Sequence, residues 1–452
     1  MRLRQTLSAE ELALGFDGST DIFQHKDLAT RISTLLSNLQ GGSVCLLDGR
    51  WGTGKSTFVK QWSAELKKSG IRNIYFDAFA SDYIDTPFTA LAGVFVRAAH
   101  EAKRRSDDPK VRKFIDKAAK VGKALAATTA KVGFKAATLG AMDGSEIEGF
   151  ASAIADGLGE IAESSVKKLL EEHADRESEF EAMRSAFAEL AMSIRKHESD
   201  QAEGPLVVFI DELDRCRPDF SLGILEILKH FFNVDGVHFI LVTSKSYLEC
   251  AVSGKYGFGE SSGEYLEKFY DFVVLFELNH EKHVAGSVQN FTNLTLDRFI
   301  PNDTQDSYDF KETIKEYCIS YKLTLRQIEN VCINSCIAYL AVKDDKIFKS
   351  GFLISFASVM KAIDLPLYKK LRDGTLNWNE AKSFIARGSW DGSYGERLSR
   401  VVRWHVDPNI DVNDDEWKHF GGSMWQYNLD RLQTFKYISD RIVDRFSGSA
   451  TK

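Results

Sequence analysis

The sequence predicts an α/β fold in which a parallel sheet, covered by helices on both faces, carries a phosphate-binding loop after its first strand. Three observations carry this. The stretch Gly49-Arg50-Trp51-Gly52-Thr53-Gly54-Lys55-Ser56 fits the pattern G-x-x-x-x-G-K-[ST]. It lies between the apolar run Val44-Cys45-Leu46-Leu47-Asp48 and the helix-compatible Thr57-Phe58-Val59-Lys60-Gln61-Trp62, so strand, turn and helix follow in the order that such a loop needs. Further short β-branched or aromatic runs at 73–79, 205–211, 237–244 and 272–278 alternate with helical patterns. That alternation implies parallel strands, with ligands bound beyond their carboxyl ends.

Taken in order, residues 1–43 form a helical lead-in, with helical spacing over 27–36 and Gly41-Gly42 as its stop. The nucleotide-binding core is expected over 44–100 and 204–290, interrupted by an insert at 101–203. The insert is split by charge. Residues 103–135 hold eleven Lys/Arg against three Asp, and residues 136–181 hold twelve Asp/Glu against three Lys/Arg. One reading is a helical hairpin whose basic and acidic arms lie against each other. The other is a Lys-rich arm that docks on nucleic acid or anionic membrane, disfavoured because its Ala and Gly side chains offer little apolar area. After the fifth strand the pattern turns helical, giving a lid at 291–345 and a C-terminal helical domain at 346–452, broken by glycines at 374, 388, 392, 395 and 421–422.

With 452 residues, 44% of them hydrophobic, the chain can build two or three real cores, and a net charge of −7 argues against a globally basic nucleic-acid binder. The N-terminal residues lack the apolar core of a secretory signal, and the longest uncharged stretches, 330–342 and 350–360, fall short of the roughly 20 apolar residues that cross a bilayer. A cytoplasmic protein without a membrane span is expected. The six cysteines are scattered without a C-x-x-C pair, and His280 and His283 lack metal-site spacing, so neither disulfides nor zinc are expected.

The chemistry follows from two motifs. In the glycine loop, backbone N–H groups and the helix N-terminus cradle phosphates, Lys55 reaches the β- and γ-phosphates, and Ser56 ligates Mg²⁺. Gly49, Arg50, Trp51, Gly52, Thr53, Gly54 and Thr57 complete the binding stretch. A second anchor for the metal should end a hydrophobic strand on the same sheet edge, and Leu206-Val207-Val208-Phe209-Ile210-Asp211-Glu212 supplies it. Asp211 is the metal carboxylate and Glu212 the base for an attacking water. At the end of the next strand, Thr243 or Ser244 either senses the γ-phosphate or caps the following helix.

The phosphate loop paired with Phe209-Ile210-Asp211-Glu212-Leu213-Asp214-Arg215-Cys216, together with Tyr75-Phe76-Asp77-Ala78-Phe79 and Glu264-Tyr265-Leu266-Glu267-Lys268-Phe269, resembles the KAP family of P-loop NTPases over about residues 15–345. The resemblance implies an additional-strand catalytic-glutamate fold with strand order 5-1-4-3-2, ATP as nucleotide, and a lid helix in which Leu323-Thr324-Leu325-Arg326 places Arg326 over the γ-phosphate. Family members often carry membrane helices where this chain has its charged insert. Arg50 stands where an acidic residue is common in the family, and Thr243-Ser244-Lys245 where an Asp is common. Lys268 is a candidate contact to a neighbouring copy in a homo-oligomer, with a salt bridge to Glu264 or Glu267 as the alternative.

These readings lead to a Mg²⁺-dependent ATP-hydrolysing switch that couples nucleotide state to a protein partner, with bacterial anti-phage defence or signalling implied by the resemblance. The alternatives are a small-molecule kinase and a non-hydrolysing nucleotide-gated scaffold.

Overall fold

The computed structural model describes residues 7–17, 20–84, 86–102, 108–129, 161–195, 204–277, 282–300, 305–341, 351–390, 393–414, 417 and 430–444. Five strands, β1 (Ser43–Asp48), β2 (Asn73–Asp77), β3 (Leu206–Asp211), β4 (Val237–Thr243) and β5 (Phe272–Leu275), form one sheet in the order β5-β1-β4-β3-β2. Every neighbouring pair is parallel. This is the 5-1-4-3-2 order expected. β3 and β4 are buried at every residue, which is why both read as continuous apolar runs instead of alternating ones. β2 stops at Asp77, two residues before the expected end, because the Asp77 carboxylate accepts the Ala80 amide at 2.8 Å and Phe79–Ser81 coils into a 3₁₀ turn. In register, Asp48 faces Thr243, Val242 faces Asp211, and Asp211 faces Asp77. The carboxyl ends of four strands therefore reach one edge together.

The α-helices before β5 are α1 (Ala9–Ala13), α2 (Lys26–Asn38), α3 (Lys55–Lys68), α4 (Pro87–Glu101), α5 (Pro109–Thr129), α6 (Ile161–Arg195), α7 (Pro218–Ile227), α8 (Lys245–Tyr256) and α9 (Ser262–Leu266). Alternate residues along a strand point to opposite faces, and two cores result. Leu46, Phe76, Val208, Ile210, Phe239 and Leu241 face one of them, together with α4, α7 and α8. Cys45, Leu47, Val207, Phe209, Ile240 and Val242 face the other, closed by α2 and α3 with Trp62 and Phe58 at its centre.

The described ends of the charged insert belong to the first core. Val111, Phe114 and Val121 of α5 and Met183, Phe187, Leu190 and Ile194 of α6 are buried in it. The Phe187 ring lies 4.6 Å from that of Phe95 and 4.7 Å from that of Phe232. α5 and α6 pack together, and Lys113 pairs with Glu189 at 2.7 Å. The remainder of the two charge blocks, 103–107 and 130–160, lies outside the described residues.

The helical region comprises α10 (Lys282–Leu296), α11 (Gln305–Ser320), α12 (Leu325–Ala341), α13 (Gly351–Ile363), α14 (Leu365–Asp373), α15 (Trp378–Ile385), α16 (Tyr394–Val406) and α17 (Thr434–Ile438). The expected boundary at 290/291 falls inside α10. Residues from Val288 through Ile328, Cys332 and Phe356 to Phe435 and Val443 share one buried cluster. The segments expected as a lid and as a separate C-terminal domain thus pack around a common core. All six cysteines are free, and among the described residues no helix is long and apolar enough to cross a membrane.

Candidate functional site

The glycine loop folds as its composition requires. Gly52 and Gly54 adopt φ of +84° and +95°, conformations that a side chain would strain. A Cβ on Gly52 would also come within 2.6 Å of Arg326 Cβ. The first turn of α3 follows directly and aims its free N–H groups at the cavity beyond the strand ends. That cavity has a volume of about 290 Å³, and the loop residues Trp51 to Phe58 form one wall.

Lys55 is buried, and its ammonium donates to the carbonyls of Gly49 and Arg50 and faces Asp214 Oδ2 at 3.8 Å. Burial lowers its pKa, opposed by the charges of Asp214, Asp211, Asp48 and Glu212. The Ser56 hydroxyl donates to Glu212 Oε1 at 3.2 Å. Asp211 accepts from the Tyr75 hydroxyl at 2.7 Å and from the Glu212 amide at 2.8 Å. Burial raises the pKa of Asp211, and the Tyr75 hydrogen bond is foremost among the contacts that oppose it. Glu212 is also raised by burial, with Arg215 opposing and Asp211 reinforcing.

Glu212 holds φ of +65°, an uncommon conformation for a residue with a side chain. Such backbone costs on the order of 1–3 kcal/mol and persists where surrounding contacts over-determine it. Here those contacts are the Asp211 side chain on its amide, Ser56 on one carboxylate oxygen and Arg215 on the other.

Other expected site residues fall into two groups. Arg326, in the first turn of α12, reaches the loop. Its amide donates to the Gly52 carbonyl at 3.2 Å, and its guanidinium lies 4.8 Å from the Trp51 ring centroid. Thr53 and Thr57 line the cavity, whereas Gly49, the exposed Arg50, Thr243, Ser244 and Lys268 do not. Thr243 ends β4 with its hydroxyl buried and without a hydrogen-bond partner among the described residues. Neither it nor Ser244 caps the following helix. Ser244 bonds Ser246 at 2.8 Å, and the Lys245 amide is taken by Asp48 Oδ1 at 2.7 Å. The salt bridge weighed for Lys268 does not form, since its ammonium sits 5.0 Å over the Tyr265 ring instead.

The far end of the cavity was not foreseen. Thr20, Asp21, Ile22, Phe23 and His25 line it, with Gln61 and Phe291 beside them. Asp21 is occupied by the amides of His25 (2.7 Å) and Lys26 (3.1 Å), fixing the entry to α2. Gln61 donates to the Thr20 carbonyl at 3.1 Å. Burial pushes His25 down to about 4, so its ring is uncharged near pH 7, beside the Asp21 carboxylate that the two amides hold. Arg215, Tyr75 and Asp214 likewise carry more of the site than their positions suggested.

The oxygen donors suit Mg²⁺, a hard cation that prefers carboxylate, hydroxyl, water and phosphate. Ser56 and Asp211 meet at the loop, and the carboxylates of Asp48, Glu212 and Asp214 add negative charge around Lys55. No group of three or more His, Cys, Asp or Glu among the described residues forms a metal cage. None is required of a cation held jointly with phosphate.

A family model described as the KAP family P-loop domain matches residues 25–334. The comparison with curated proteins gives no match. Among solved structures, the chain is similar to the Aeropyrum pernix ORC2 protein, described in ADPNP-ADP complexes, with 11% identity, coverage of 94% of this chain and 95% of that one, and a TM-score of 0.35.

Proposed function

The chain belongs to the KAP family of P-loop NTPases, and from that premise we propose that it is a Mg²⁺-dependent ATP-hydrolysing switch. The observation that carries this reading is the single cavity in which Lys55, Ser56, Asp211, Glu212 and Arg326 converge. On nucleotide binding, Lys55 leaves the carbonyls of Gly49 and Arg50 for the β- and γ-phosphates. Ser56 and Asp211 would hold the metal, which would supply positive charge to offset that of the phosphates. Glu212 accepts the proton of the attacking water, a role worth about 10² to 10⁴ in rate. Thr243 or Ser244 reports the presence of the γ-phosphate from the end of β4. We assign the triphosphate to the loop and the base to the end lined by the apolar Ile22, Phe23 and Phe291 and the uncharged His25.

The switch runs through α12. Arg326 touches the loop at Gly52 and Trp51, while Ile328 and Cys332 of the same helix lie in the core of the helical region. A change at the loop is therefore passed to a packed body and from there to a protein partner. Family resemblance is what supports placing that partner in anti-phage defence or signalling. Lys268 is proposed as the contact between copies, read out as an increase in particle mass with ATP and Mg²⁺.

The test is product analysis. Wild-type protein is expected to release phosphate without a phosphorylated small molecule, and Glu212→Gln to bind ATP yet hardly turn it over. A phosphorylated product would replace the switch by a kinase. ATP binding without phosphate release would leave a nucleotide-gated scaffold.

A further inference from the structure

Glu212 is held at two points. Its Oε1 accepts from the Ser56 hydroxyl at 3.2 Å, and its Oε2 is ion-paired with Arg215 Nη1. Arg215 stands three residues on, at the end of the 3₁₀ turn Leu213–Arg215, and its own amide donates to the Glu212 carbonyl at 3.1 Å. The turn therefore fixes the base of the arginine relative to the backbone of the glutamate. The carboxylate side chain is 13% exposed and the guanidinium side chain 39%, so the arginine comes from the cavity wall and leaves part of its fork in solvent. Among the described residues, Arg215 is the side-chain cation ion-paired with Glu212; Lys55 is turned to Asp214 and to the loop carbonyls.

The two contacts have different fates. In the reading above, which this inference rests on, Ser56 would serve the metal when nucleotide binds. Its hydrogen bond to Glu212 is then given up, and the carboxylate keeps only one side-chain restraint. We propose that Arg215 is a positioning residue for Glu212, holding the carboxylate over the site once Ser56 has left it. An arginine is suited to this because its guanidinium stays charged at every working pH, so it can hold by ion pairing an Oε2 that accepts no hydrogen bond among the described residues. Without it, Glu212 would stay on Ser56 and compete with the metal, or swing out of line with the water. A misplacement of about 1 Å in a reacting group costs on the order of 10²-fold in rate.

Arg215 also lines the cavity, so direct contact with a phosphate is the rival role, and steady-state kinetics separates the two. Full-length wild type, Arg215→Ala, Arg215→Lys, Glu212→Gln and the Glu212→Gln/Arg215→Ala double variant are compared for ATP affinity and phosphate release. The expected result is that Arg215→Ala lowers kcat about 10- to 100-fold with ATP affinity within about threefold of wild type. Arg215→Lys should recover part of the loss, and the double variant should match Glu212→Gln, because a residue acting through Glu212 has nothing left to position. Where Arg215→Ala does not fold, Arg215→Lys carries the test by its intermediate kcat at unchanged affinity. An unchanged kcat in Arg215→Ala with Glu212→Gln inactive overturns this proposal alone, as does weakened ATP affinity at unchanged kcat, or a further loss on adding Arg215→Ala to Glu212→Gln. Equal turnover in Glu212→Gln and wild type overturns both this proposal and the assignment of Glu212 as base.

Discussion

Truncating Phe187 to alanine tests whether the charged insert is part of the nucleotide-binding core. Phe187 lies on α6, far in sequence from the sheet, yet its side chain is fully buried. Its ring sits edge-on to Phe95 at 4.6 Å and to Phe232 at 4.7 Å, with Phe114 of α5 at 6.1 Å. Those three neighbours belong to three different helical segments, Pro87–Glu101, Leu228–Phe232 and Pro109–Thr129, in the core that also takes in β3 and β4. Removing a buried phenylalanine costs about 3–5 kcal/mol from lost transfer energy and the cavity left behind. Each edge-to-face pair adds roughly 0.5–1.5 kcal/mol beyond burial, which places Phe187→Ala at the upper end of that range. The control is Lys113→Ala, which removes an ion pair whose side chains are 46% and 39% exposed and should cost no more than about 1 kcal/mol. Urea denaturation followed by intrinsic fluorescence measures both. If Phe187→Ala costs less than about 1 kcal/mol, the insert is not core.

Gly52→Ala combines a left-handed backbone, φ +84°, with a Cβ 2.6 Å from Arg326 Cβ. We expect a stability loss of about 1–2 kcal/mol from the backbone alone and weakened ATP binding; wild-type values for both would show that α12 does not rest on the loop. Acidification should destabilise the fold through His405, which burial depresses to about 4 despite its hydrogen bond to the Arg431 carbonyl. The folded state then binds fewer protons than the unfolded state between the unfolded pKa of about 6.5 and the folded value, so stability is lost as pH falls through that window. The loss reaches about 2 kcal/mol by pH 5. Denaturation midpoints at pH 7 and pH 5 check this, and an equal slope in His405→Gln would assign the effect elsewhere. His25, depressed likewise to about 4, adds to the same slope.

The sheet was legible because its inner strands are short apolar runs that have no other use in a chain of this charge. The phosphate loop was legible because glycines at positive φ and a following helix leave a fixed pattern. The burial of the insert against the sheet was hidden for a physical reason. Net charge over a window hides a stripe of Val111, Phe114 and Val121 against Met183, Phe187, Leu190 and Ile194, spaced for one face of a helix. Helix capping by Asp48 could not be read locally, since donor and acceptor are 197 residues apart. The cavity end at Thr20–His25 has no periodicity and no motif, and it gains meaning only from packing beside α3 and Phe291. Glycines after residue 370 mark breaks between helices, and such breaks do not reveal whether the helices on either side share a core.

The central claim is that Lys55, Ser56 and Asp211 form a nucleotide site, and titration of ATP with Mg²⁺ into wild type and Lys55→Ala tests it most directly. Lys55 is buried, its ammonium is held by the loop's own carbonyls and Asp214, and it is the loop cation placed to exchange those partners for phosphate. Saturable binding to wild type and none to Lys55→Ala is expected, with the fold of the variant intact by circular dichroism. Undiminished affinity in Lys55→Ala would contradict it.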